Sequence, residues 1–254
     1  MSIASLNFVR QKILWSAQHL KSLEAESILY FKDEPGEVVA EEEPQSGRII
    51  CRFNARIPIP DHIPLIIGDA LQNLRSSLDY LVWELILAAN NEPQNSNLFP
   101  VCETPKVFAE ELRRNRLLGV PTDAITEIER LQPYHAGDKW ESACLWVLHY
   151  FCNINKHRRV LLTTLAVHAS HAEWSSTESH SVQSTLTPRY HGAEVSSSPA
   201  PSKAGEIMEV KGKIVTFITF NERPAEGIQI SVCLNQLWGF VDRFLVPKFE
   251  RFFK

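Results

Sequence analysis

Residues 58–91, PIPDHIPLIIGDALQNLRSSLDYLVWELILAANN, constrain the fold more than any other stretch. Leu71, Leu74, Leu78, Leu81, Val82 and Leu85 recur at helical spacing, so one stripe of a long helix has to be buried. Asp61 can cap its start, and Pro64 costs no hydrogen bond in the first turn. The run NNEPQN then ends it. A polar island sits on this otherwise apolar rod: Asp69, Gln72, Asn73 and Ser76 share one side, and Arg75 lies one turn from Asp79.

A second island occurs downstream. The apolar run CLWVLHYFC leads into NINKHRRVLL and then TTLAV, and the pattern predicts one long helix from about Glu141 to Val167. On that helix His157 falls on the stripe of Tyr150, Ile154 and Leu161, while Asn155 flanks Phe151. Both should be at least half buried. Buried amides and cations need partners. The comparable polar set on an apolar helix is Asn73, Arg75 and Asp79, which predicts that the two long helices pack with their islands in register.

The remaining elements complete an α+β pattern. Leu6, Val9, Ile13, Leu14, Ala17, Leu20 and Leu23 predict an amphipathic first helix over residues 3–30. In RIICRFNARI, residues 48–57, Ile49, Cys51, Phe53, Ala55 and Ile57 alternate with mostly polar neighbours, as in a half-buried strand. GEVVAEEE would be the first arm of that hairpin, its Glu37, Glu41 or Glu43 pairing with the arginines across the ladder. Two short helices are expected after residue 100. EIMEVKGKIVTFITF reads as a hairpin turning at Lys211-Gly212, and IQISV as a strand before a last helix kinked at Pro247. Residues 174–205, rich in Ser, Thr and Pro, read as loop-rich and partly mobile. The expectation is a single α+β domain over 1–254: a helical bundle with two long antiparallel helices packed beside a small antiparallel sheet.

Composition narrows the function classes. With 26 basic against 30 acidic residues the net charge is −4, so any nucleic-acid contact must be local. Five cysteines without C-x-x-C spacing, and no secretory pattern in MSIASLNFVRQKIL, point to reduced thiols in a cytoplasmic protein. No apolar run reaches spanning length, because Asp69, Asn73, Arg75 and Asp79 interrupt the best one, so no membrane partner is expected.

The quoted motifs carry a resemblance. GDALQNLRSSLDYLVWEL, LQPYH and NINKHRRVLL resemble a widespread group of uncharacterised bacterial proteins with the pattern G-D-x-x-x-N-L-R-S-x-L-D-[HY]-L, then Q-P-[YF], then N-x-[DN]-K-H-R. The match covers roughly residues 60–165 and implies no particular activity. A weaker likeness is to HEPN domains, helical bundles of which many are metal-independent ribonucleases with an R-x4-6-H signature. Here Arg75 stands in place while Tyr80 takes the position of the histidine, so the imidazole would have to come from His157.

On the functional reading, Arg75 with Lys156 or Arg158 holds a phosphate of RNA or another phosphate-bearing ligand. His157 serves as acid or base, and Asn73, Asp79 and Asn155 orient the group. On the other reading, the Asn/Arg/Asp/His network only fixes register within a non-catalytic interaction or sensor module. A homodimer is expected as a prior for such bundles. No metal and no cofactor is implied: His168 and His171 lack the convergent ligands of a zinc site, and phosphate loops and dinucleotide fingerprints are absent. Trp15, Trp83, Trp146 and Trp238 read as core side chains.

Overall fold

The computed structural model describes residues 4–45, 48–157, 163–175, 180–183, 189–197 and 209–253. The side chains of residues 157, 167–175, 180–183 and 209–214 fall outside that description, as does all of Arg158.

The class is α+β. Helix α1 (Asn7–Lys32) precedes the hairpin β1 (Gly36–Glu42) and β2 (Ile49–Ala55). Helix α2 (His62–Ala88) is followed by α3 (Pro105–Arg113), α4 (Thr122–Arg130), a 3-10 segment (Pro133–Ser142) and α5 (Cys144–His157). Strands β3 (Thr163–Ser175), β4 (His180–Gln183), β5 (Glu194–Ser197) and β6 (Glu209–Phe220) lead to α6 (Ile230–Gly239). The chain then continues through a π turn (Phe240–Leu245) into 3-10 turns (Val246–Phe253), the change falling beside Pro247.

The strands form two three-stranded antiparallel sheets, ordered β1-β2-β5 and β4-β3-β6, rather than one. In the first, the arginine face of β2 has the predicted partners: Arg56 reaches Glu37 at 3.4 Å and Arg52 reaches Glu41 at 3.9 Å. β4 and β5 lie within residues 174–205, where composition points to loop. In the second sheet β6 is continuous. Lys211 and Gly212 pair with Glu173 and Ala172 of β3 and do not form the expected turn. IQISV is also not a strand, because α6 already begins at Ile230.

The expected second long helix is the main correction. α5 is described over Cys144–His157, and TTLAV belongs to β3, so the helix does not reach Val167. The Thr and Val residues of TTLAV suit a pleated surface better than a helix. The long partner of α2 is instead α1. Ser5 N donates to Glu84 Oε2, Lys12 Nζ to Asn73 Oδ1, and Ser16 Oγ to the Ala70 carbonyl. As numbers rise along α1 they fall along α2, so these two helices are antiparallel.

One apolar cluster joins helices to sheets. It includes Ile13, Leu71, Leu74, Leu78, Leu148, Phe151, Phe53, Val195, Ile218 and Phe220. Phe151 of α5 stacks on Phe220 of β6 with ring centroids 4.5 Å apart. That contact fixes α5 between α2 and the second sheet. The described residues include no helix long and apolar enough to cross a membrane.

Candidate functional site

α2 offers α5 a narrow strip of residues spaced three or four apart, so they share a face. Cys152 Sγ donates to Gln72 Oε1 at 3.0 Å. One turn earlier on α2, Gly68 lies against Asn155, close enough that a Cβ at position 68 would sit 2.5 Å from Asn155 Nδ2. A Cβ there would force that amide to move. One turn later on α2, Arg75 and Asp79 act electrostatically on His149. Going toward the start of α2 therefore goes toward the end of α5, and the two directions oppose along the contact.

Arg75 is at the centre of the α2 island, and it is tied down. Its Nη1 donates to Asp79 Oδ1 and its Nη2 to the Phe99 carbonyl, both at 2.8 Å. The same Asp79 oxygen accepts from Phe99 N at 3.0 Å. The guanidinium side chain is only 10% exposed and the carboxylate 26%. Together the pair holds the loop after α2 against the helix, a planar two-donor job that arginine geometry suits.

His149, which sequence reasoning passed over, carries an imidazole that feels the charge of Arg75. His149 sits in the apolar run CLWVLHYF, which disguises it as a core position. Its Nε2 lies 2.9 Å from Asn153 Nδ2, and its Nδ1 is buried with no hydrogen-bond partner. With the Asn153 amide donating to Nε2, the ring proton sits on Nδ1. Burial is the main force lowering its pKa to about 4, assisted by Arg75 and Lys156 and opposed by Asp79. At neutral pH the ring is uncharged. The spacing of His149, Asn153 and Lys156, at i, i+4 and i+7, was the available signal for this face.

The other expected residues divide. Lys156 is exposed and lies near enough to influence both His149 and Cys152. Asn155 is half buried against Gly68, as its place on the flank with Phe151 predicted. Asn73 faces α1 and not α5: its Oδ1 accepts from Lys12 and its Nδ2 donates to the Asp69 carbonyl. The side chain of His157 and all of Arg158 lie outside the described residues. Among described residues, no group of three His, Cys, Asp or Glu is placed to hold a metal ion.

The motif LQPYH has a structural explanation. Gln132, 2% exposed, accepts from Cys102 N and donates to the carbonyls of Pro100 and Ile128. Tyr134 donates to Glu129 and packs on His135, with ring centroids 4.4 Å apart.

Two of the four tryptophans read as core, out of six in the chain, depart from that reading. Trp15 is 60% and Trp83 43% exposed, and Phe8 at 55% and Tyr80 at 42% lie on the same side of the α1–α2 pair. Lys12 stands among them, 5.6 Å from the Tyr80 ring centroid. Helical spacing puts Phe8, Lys12 and Trp15 on one edge of α1, and Asp69, Ser76, Tyr80 and Trp83 on the adjoining edge of α2. Comparison with known proteins adds no identity to this geometry: no family model, curated protein or solved structure matches the chain.

Proposed function

We propose that the protein is a non-catalytic interaction module in which the Arg75–Asp79 network is architectural. The observation that carries this reading is the state of Arg75. A guanidinium that has to clamp a scissile phosphate must be open to it, and this one is nearly sealed and bonded to Asp79 and the Phe99 carbonyl. The module's contact surface is the aromatic edge of α1 and α2. Exposed Trp, Tyr and Phe beside few charges is the composition of a protein–protein interface core, and nucleic acid would call for more cations. Lys12 and Asp69 make the edge self-complementary in charge, which favours a second copy of the chain as its partner.

A phosphate-bearing ligand, RNA included, is the second reading. One observation favours it: the unpartnered Nδ1 of His149 lies in the combined field of Arg75 and Lys156. An anion there would accept from Nδ1–H in the positive field of those two cations. The R-x4-6-H likeness to HEPN ribonucleases would then be completed by His149 in place of His157.

Two measurements separate the readings. Sedimentation of the wild-type chain should show a dimer, and Trp83→Glu should shift it to a monomer with unchanged circular dichroism. Ribonuclease assays with chelator present should find no cleavage by the wild type. Cleavage lost in His149→Ala with melting preserved would remove the architectural reading.

A further inference from the structure

A second unfilled space lies away from this site, on the other side of α1. The second half of α1 leans over β6 and the start of α6, leaving a cavity of about 610 Å³. That is the size of a small-molecule site. Its floor is apolar, built from Leu20, Leu23, Phe31, Ile218, Ile230 and Trp238. Leu23, Ile218 and Ile230 are at most 5% exposed, so the floor is continuous with the core. Trp238 is held in place by its Nε1 bond to the Ile13 carbonyl, at 3.2 Å.

The polar lining groups are Lys21, Glu24 and Ser27 on α1 and Gln229, Ser231 and Asn235 at α6. Lys21 stands on the α1 side, while Gln229 and Ser231 mark where α6 begins on the other. Gln229 makes no side-chain capping bond, and the first turn of α6 has no acidic residue. The first N–H groups of that helix and its positive dipole end therefore border the cavity mouth. Glu24 stands one turn from Lys21 and balances it in formal charge, so the small positive excess comes from the start of α6. A head with one negative charge suits this balance better than a doubly charged phosphate.

We infer that the cavity between α1, β6 and α6 binds a small amphiphilic monoanion, a carboxylic acid with an aliphatic or aromatic body. The body lies on Leu20, Phe31 and Trp238, and the carboxylate faces Lys21 and the opening turn of α6. This site is independent of the α2–α5 island and of the aromatic edge, so it neither needs nor tests the proposed interaction role.

Calorimetric titration of the full chain with decanoate, decanol and decyltrimethylammonium tests it. Decanoate should bind at one site per chain, and more tightly than either control. Lys21→Glu, at an exposed position, should weaken decanoate by about tenfold while leaving decanol unchanged. Ser27→Trp, which fills the cavity, should abolish decanoate binding with the melting curve retained. Absence of decanoate binding, equal affinity for all three ligands, or an unchanged affinity in Ser27→Trp overturns the assignment. If Ser27→Trp fails to fold, the Lys21→Glu comparison decides alone.

Discussion

Gly68 and Asn155 share a space that holds one side chain. A Cβ at position 68 would meet the Asn155 amide atoms at 2.5 and 2.8 Å and its Cγ at 2.9 Å. Alanine ordinarily stabilises a helix interior by about 1 kcal/mol relative to glycine. Here the end of the Asn155 side chain has to move to admit the Cβ, which offsets part of that gain. Gly68→Ala should therefore raise the urea midpoint less in the wild-type background than in Asn155→Ala. A double-mutant cycle showing no coupling between the two positions would refute the contact.

Arg75 and Asp79 should behave as a unit. Arg75→Ala leaves the Phe99 carbonyl without its guanidinium donor and Asp79 with Phe99 N alone, a loss of about 2–3 kcal/mol for a largely buried pair. Asp79→Asn keeps the shape and one acceptor, so its loss should be smaller. Arg75→Lys cannot reach both acceptors in one plane and should fall between the two. Chemical denaturation of the three variants checks the order.

What could be read from the sequence was local. The alternation of residues 49–57 and the glutamates opposite its arginines specified the first hairpin, because register and charge pairing are decided within a few residues. The stripe of α2 was equally plain. The end of α5 was not, since the apolar residues of 160–167 suit either a helix or a strand buried in a sheet. The candidate site was legible in part: Arg75, Asp79, Asn155 and Lys156 lie about the α2–α5 contact, while the His157 side chain and Arg158 lie outside the described residues. His157 stood out beside Lys156 and Arg158, whereas His149, the imidazole in the field of Arg75, was hidden among apolar neighbours. Trp15 and Trp83 look like core by residue type, and only the packing of α1 against α2 shows them facing outward.

Gln132 ties the loop around Cys102 to the end of α4 with three side-chain bonds. Gln132→Met should cost about 2–4 kcal/mol, because it strands buried backbone groups. Gln132→Glu should cost more than Met at neutral pH: it turns the Nε2 donor into an oxygen facing two carbonyls. A melting series at pH 7 that ranks Glu above Met would contradict the bonding described.

His149 makes stability depend on pH in a defined window. In the unfolded chain its imidazole titrates near the ordinary value of 6.5, and in the fold it does so at about 4. Between these values the unfolded chain binds a proton that the folded chain does not, so stability falls as pH falls. The contribution is fully present above about pH 6.5 and is lost on acidification to about pH 4, roughly 3 kcal/mol in all. Nearby carboxylates add their own acid dependence at the lower end, so a comparison of variants is needed. His149→Gln is uncharged throughout and should flatten the slope of unfolding free energy between pH 6 and 4.5, relative to the wild type. NMR titration should find the folded imidazole still neutral at pH 5. A His149 resonance that titrates near 6.5 in the folded chain would place the ring in solvent, and the buried island between α2 and α5 would have to be redrawn.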